Sequence, residues 1–118
     1  MFRFEKLDVW HKSIEFSDSV YQATRSFPSE ERFGLTSQVR RSAVSVAANI
    51  AEGSGRATDR DFARFVGMAY GSLMESISHL EIARRQSFLD EDNYRELYNR
   101  ADRLAQMLSG LKNSLSGD

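Results

Sequence analysis

The 118-residue chain predicts an all-α fold, an antiparallel up-down-up-down four-helix bundle occupying residues 1–118 as one domain. Three observations lead there. Apolar residues recur at spacings of three and four along four separate segments. No segment shows the apolar/polar alternation of a half-buried strand. The connections between the periodic segments are short, which makes consecutive helices antiparallel neighbours.

The first helix is expected from about Leu7 to Arg25. Leu7, Trp10, Ile14 and Tyr21 form one stripe, and Val9, Phe16, Val20 and Phe27 form a second. At 100° per residue the two stripes cover roughly 200° of the helix surface. A helix on a monomer surface usually shows an apolar face little wider than 100°. The surplus predicts a helix buried on two sides, and therefore a partner subunit. Pro28 then disfavours helical geometry at Phe27. Glu30, Glu31 and Arg32 suit a short turn, and Phe33-Gly34 reads as a connector.

The second helix is expected from about Leu35 to Glu52, with Leu35, Val39, Ala43, Val46 and Ile50 inward. Its other faces are rich in Ala and Ser, so neighbouring backbones can come close. Thr58 or Asp59 suits the N-cap of the third helix, expected to run to about Gln86. Its heptad is Phe62, Val66, Ala69, Leu73, Ser76, Leu80 and Ala83. Gly67 and Gly71 lie inside it, each costing roughly 1 kcal/mol relative to alanine, and close helix–helix approach is the expected compensation. Asp90 suits the cap of the fourth helix, which carries Tyr94, Leu97, Ala101, Leu104, Leu108, Leu111 and Leu115. The tail Ser116-Gly117-Asp118 is expected to fray.

Composition narrows the function classes. The chain has no cysteine, which removes disulfides, thiolate metal sites and cysteine nucleophiles and fits a reducing, cytoplasmic setting. No segment has the apolar run of a signal peptide or a membrane span, so no membrane association is expected. The formal net charge is -1, so any contact with nucleic acid must rely on a local patch or on the summed field of an oligomer. Of 16 basic residues only Lys6, Lys12 and Lys112 are lysines. Arginine suits bidentate phosphate and carboxylate contacts, and arginine-favouring codon usage would give the same bias.

Gly53-Ser54-Gly55 lacks the context of a phosphate loop. Such loops follow a strand and open a helix, whereas these glycines end a helix and read as a C-cap and hinge. Glu75 and His79, four apart on one helix, read as a paired surface couple without the second copy a metal bundle needs. Ser42, Ser45 and Asn49 have no histidine or lysine at helical spacing to activate them, so they read as small polar packing residues. No catalytic, cofactor or metal residues are therefore expected, and no small-molecule substrate is evident. Arg40, Arg41, Arg56, Arg60 and Arg64 remain as candidate nucleic-acid contacts, grouped around the second helix and its hinge, and Arg84 and Arg85 close the third helix. Interleaved Asp59 and Asp61 leave a solvated, salt-bridged face as the alternative.

Phe4-Glu5-Lys6-Leu7-Asp8-Val9-Trp10, the connector Phe27-Pro28-Ser29-Glu30-Glu31-Arg32-Phe33-Gly34-Leu35, and Gln38, Arg40, Arg41, Ser45, Val46, Asn49-Ile50-Ala51-Glu52-Gly53, Gly55 and Arg56 form a connected pattern. Phe62, Phe65, Ala69, Gly71, Ser72 and Glu75 extend it. Over nearly its whole length the chain resembles the bacterial four-helix-bundle proteins first noticed as reading frames in intervening sequences of 23S ribosomal RNA genes. That resemblance implies the same bundle, assembled as a homopentamer around a central channel. It also implies a possible role in binding RNA, DNA or a ribonucleoprotein partner, as the related accessory protein of diversity-generating retroelements does. A non-enzymatic scaffold that binds a protein and no nucleic acid is the alternative expectation.

Overall fold

A computed structural model describes residues 1–117; Asp118, at the end of the expected frayed tail, lies outside the described residues. Four helices account for most of the chain: α1 (Asp8–Thr24), α2 (Leu35–Ser54), α3 (Asp59–Arg85) and α4 (Glu91–Ser116). Each begins and ends within two residues of its expected place, and no strand occurs among the described residues. α3, with 27 residues, is about 40 Å long, close to the 43 Å long dimension of the molecule. Residues 55–58, between α2 and α3, can span at most about 14 Å, so the chain must turn straight back.

Both ends of the bundle confirm the up-down-up-down order. At one end Phe27, after α1, packs on Phe88, after α3, with ring centroids 5.9 Å apart. At the other, Arg3, before α1, lies 5.0 Å over the ring of Phe62, in the first turn of α3. Each helix packs on its two neighbours around the ring and the diagonal pairs stay apart.

Local chemistry explains the boundaries. A short 3-10 turn, Arg3–Lys6, precedes α1. The Phe2 N–H donates to the Glu5 carboxylate at 2.8 Å, and His11 Nε2–H donates to the Glu5 carbonyl at 2.7 Å. A second such turn, Ser29–Glu31, follows Pro28. Thr58 Oγ1 and Asp90 Oδ1 accept from the backbone N–H three residues on, capping α3 and α4. α3 stops in a Schellman arrangement: Ser87 sits in the left-handed region at φ 63°, its N–H bonds the Arg84 carbonyl, and the Phe88 N–H bonds the Ala83 carbonyl. α4 runs through Ser116, one residue into the expected frayed tail, and closes on left-handed Gly117.

The core matches the heptads. All seven expected α3 positions are buried, as are Val39, Ala43, Val46 and Ile50 of α2 and Leu97, Ala101, Leu104 and Leu108 of α4. Of the two apolar stripes expected on and just after α1, only the Val9, Phe16, Val20 and Phe27 stripe is buried throughout. Leu7 and Trp10 are half-buried against the core, while Ile14 and Tyr21 are exposed.

The glycines differ from expectation in an informative way. A Cβ on Gly71 would meet nothing within 4 Å, and one on Gly67 would meet only the flexible end of Lys112. Neither marks a close helix approach within the subunit. Gly53 does, from inside α2: its Cβ would lie 2.6 Å from Phe65 Cβ and 2.8 Å from Phe62 Cδ1. The α2 cap is Gly55, whose φ of -91° is open to any residue. The hinge glycine is thus needed for packing, not for turning.

Leu73→Ala and Leu104→Ala should each lower unfolding free energy by about 2–5 kcal/mol in urea titrations, through lost burial and a residual cavity. Gly53→Ala should lower it by roughly 1–3 kcal/mol through overpacking. Gly71→Ala should raise it by about 0.5–1 kcal/mol, because a helical glycine is replaced in open space.

Candidate functional site

The α2–α3 seam is closed by small polar groups. Ser42 and Ser76 hydroxyls share a buried hydrogen bond of 2.8 Å, and Ser72 Oγ donates to Ser45 Oγ at 3.0 Å. Ser42 and Ser76 also lie within hydrogen-bond distance of the Val39 and Ser72 carbonyls, so whichever hydroxyl donates across the seam, the other can donate to its carbonyl. Asn49 Nδ2 donates back to the Ser45 carbonyl at 2.9 Å. These hydroxyls pair with each other and with backbone, as expected of packing residues. His79 Nε2 lies 3.3 Å from Glu75 Oε2, the expected pair.

With that seam facing α3 and the Val39–Ile50 stripe facing the core, α2 turns Arg40, Arg41, Val44 and Ala48 toward the outside and toward α1. They line an open groove of about 620 Å³, joined by Tyr21 from α1 and by Arg32 and Phe33 from the connector. Arg40 is the best anchored. Its Nε donates to Thr24 Oγ1 at 2.8 Å, and that hydroxyl donates to the Val20 carbonyl at 2.8 Å. The Arg40 guanidinium carbon lies 4.6 Å over the Tyr21 ring. One nitrogen is therefore held, and the residue lines the groove. Arg32 lies 5.2 Å over Phe33, whose side chain is otherwise open: Phe33 is 87% exposed. Among the described residues, neither Arg32, Arg40 nor Arg41 forms an ion pair.

The hinge arginines are in a different electrostatic state. Arg56 bonds Glu52 at 2.7 Å and lies 3.8 Å from Asp61. Arg64 bonds Asp61 at 3.0 Å. Both guanidinium groups cover the buried Phe65, at 4.5 and 4.7 Å. Arg60 is exposed and has no ion-pair partner among the described residues. Arg84 and Arg85 share Glu81, and Arg84 also reaches Glu91 across the α3–α4 turn, so these two fasten the turn.

The five sequence-selected arginines do not converge. Arg40 and Arg41 lie 15 or more residues before Arg56 on one rod, on the order of 23 Å away. Arg56 and Arg64 do come together, around Asp61. Arg32, Phe33 and Tyr21 were not among the selected residues. An aromatic residue in a connector, outside every heptad, was the available signal for Phe33.

Asp61→Asn should release the Arg64 guanidinium and leave Arg56 on Glu52, while costing about 1 kcal/mol or less, since exposed ion pairs contribute little. Urea titration checks this. A loss well above that would show that the Glu52–Arg56–Asp61–Arg64 chain fixes the hinge.

Among the described residues no helix is long and apolar enough to cross a membrane, and no three His, Asp or Glu side chains converge as a metal site. A crystal structure of a protein of unknown function from Bacteroides thetaiotaomicron, described as of the S23 ribosomal protein family, superposes with a TM-score of 0.81. It is 24% identical and covers 88% of this chain and 97% of its own, a likeness of fold. No curated protein matches in sequence. The family described as 23S rRNA-intervening sequence protein matches residues 5–110, and that description names no reaction. From the Glu5 turn to the last turns of α4, the chain belongs to the 23S rRNA-intervening sequence protein family.

Proposed function

We propose that the protein is a non-enzymatic, cytoplasmic homo-oligomer, pentameric as the resemblance implies, that binds RNA, DNA or a ribonucleoprotein partner through its arginines. One observation carries the nucleic-acid part. In a chain of net charge -1, Arg32, Arg40 and Arg41 line one groove with no ion-pair partner among the described residues. Guanidinium groups left without carboxylates are suited to phosphate, which they bind bidentately. Arg60, at the hinge, adds a further guanidinium with no ion-pair partner among the described residues.

Exposed apolar side chains support self-association. Ile14 and Tyr21 belong to the first α1 stripe and are exposed, and Met68, Met74 and Ile82 stand on the outside of α3. An oligomer would repeat the groove and convert weak single-groove contacts into avidity. The same α3 residues favour the second reading, a scaffold that binds a protein and no nucleic acid. A pull-down with and without nuclease separates the two: partners lost after nuclease support the first.

Fluorescence anisotropy with RNA and DNA oligonucleotides across a salt series tests the proposal. The logarithm of affinity should fall linearly with the logarithm of salt, with about 0.7–0.9 of slope per phosphate contact. Arg41→Gln should reduce that slope by about one contact. No binding at low salt, or a flat response, contradicts the reading. Light scattering should give several times the 13.5 kDa chain mass; the mass of one chain contradicts the oligomer.

A further inference from the structure

Resting on the nucleic-acid reading, we infer that the groove between α1, the connector and α2 takes a single strand, with an unstacked base against Phe33 and the phosphates on Arg32, Arg40 and Arg41. Phe33 is the deciding residue. It is 87% exposed, follows the Ser29–Glu31 turn and has only the Arg32 guanidinium against its ring, 5.2 Å away. An exposed phenylalanine costs solubility and contributes nothing to this core. Its open face is a platform for a flat apolar partner.

The surroundings select what that partner is. Three guanidinium groups with no ion pair among the described residues line the same groove, so the partner carries negative charge along with its flat surface. Two carboxylates lie close by and both are engaged: Glu31, beside Arg32, accepts from the Leu35 N–H at 3.2 Å, and Glu75, lining the adjoining smaller groove beyond Arg41, pairs with His79. Flat apolar rings joined by regularly spaced anions are the chemistry of a polynucleotide. In a duplex the base faces are already stacked and only edges and backbone are offered, which would leave Phe33 without a partner. Single strands expose base faces, and proteins that bind them pair cationic grooves with aromatic platforms.

The groove is also held ready. Thr24 holds Arg40 Nε and the Tyr21 ring lies 4.6 Å from its guanidinium carbon, so the side chain is anchored before any ligand arrives. Little side-chain ordering is then left for binding, which favours affinity. α1 and α2 meet through this same Thr24–Arg40 contact, so the platform and the charges share one frame.

The test compares three fluorescein-labelled probes at low salt: a single-stranded RNA, the same length of abasic single strand, and a blunt RNA duplex. The wild-type protein should prefer the base-bearing single strand. Phe33→Ala should weaken that binding by roughly 5- to 150-fold, the range of one lost base stack, and should bring it to the level of the abasic strand. Phe33→Tyr should retain the preference. Because Phe33 is exposed, all variants should show the wild-type melting profile. If Phe33→Ala binds the single strand as wild type does, or if wild type prefers the duplex, the inference is overturned while the arginine reading stands. If no probe binds, both fall. If Phe33→Ala changes the light-scattering mass instead of the base preference, the groove holds another copy of this chain, and the inference is overturned.

Discussion

The close approach of α2 and α3 at Gly53 is the constraint on which the rest of the structure depends. No side chain fits there, because Phe62 and Phe65 already occupy the place a Cβ would take. Further along the same seam, Ser42 meets Ser76 and Ser45 meets Ser72. Hydroxyls can be buried there because each is bonded; unpaired, each would cost about 1–3 kcal/mol. Glycine and serine thus set both the separation and the rotation of the two helices. Once α2 is rotated so that these residues face α3, its outward positions include Arg40, Arg41, Val44 and Ala48. The groove is a consequence of the seam.

The fold sorts its arginines by their neighbours. Those at helix ends, Arg56, Arg64, Arg84 and Arg85, have carboxylates within reach and hold turns in place. Such exposed pairs are worth little individually, but they cancel charge where it sits. Arg32, Arg40 and Arg41 gather on a wall without that cancellation. A chain near neutrality therefore carries a locally positive groove here, and the overall charge conceals it. The aromatic rings of Tyr21 and Phe33 lie in the same place, each with a guanidinium against it.

Much of this was legible in the sequence because the helical period reports burial directly. The α3 heptad needed only its own spacing, and the caps at Thr58 and Asp90 needed only side chains that can accept a hydrogen bond. Legibility ended where the answer depended on a second element. Gly67 and Gly71 looked like contact points and Gly53 like a terminator, but which glycine touches another helix is set by that helix. Ser13, Ser17 and Thr24 are buried on α1 although their polarity suggested otherwise; Ser13 and Thr24 bond carbonyls of their own helix, at Trp10 and Val20. The arginines looked like one cluster because α2 is short in sequence, while as a rod it holds Arg40 and Arg56 well apart. Phe33 went unselected because it belongs to no periodic segment, the same property that leaves it exposed.

The central claim is that the α1–connector–α2 groove, and not the ion-paired hinge, meets nucleic acid. Photocrosslinking of the wild-type protein to a single strand carrying a photoreactive base, followed by peptide mapping, tests it most directly. Adducts should fall on Phe33 and Tyr21 and on peptides spanning residues 21–48. Adducts confined to residues 56–64, or to the outer face of α3, would contradict the account.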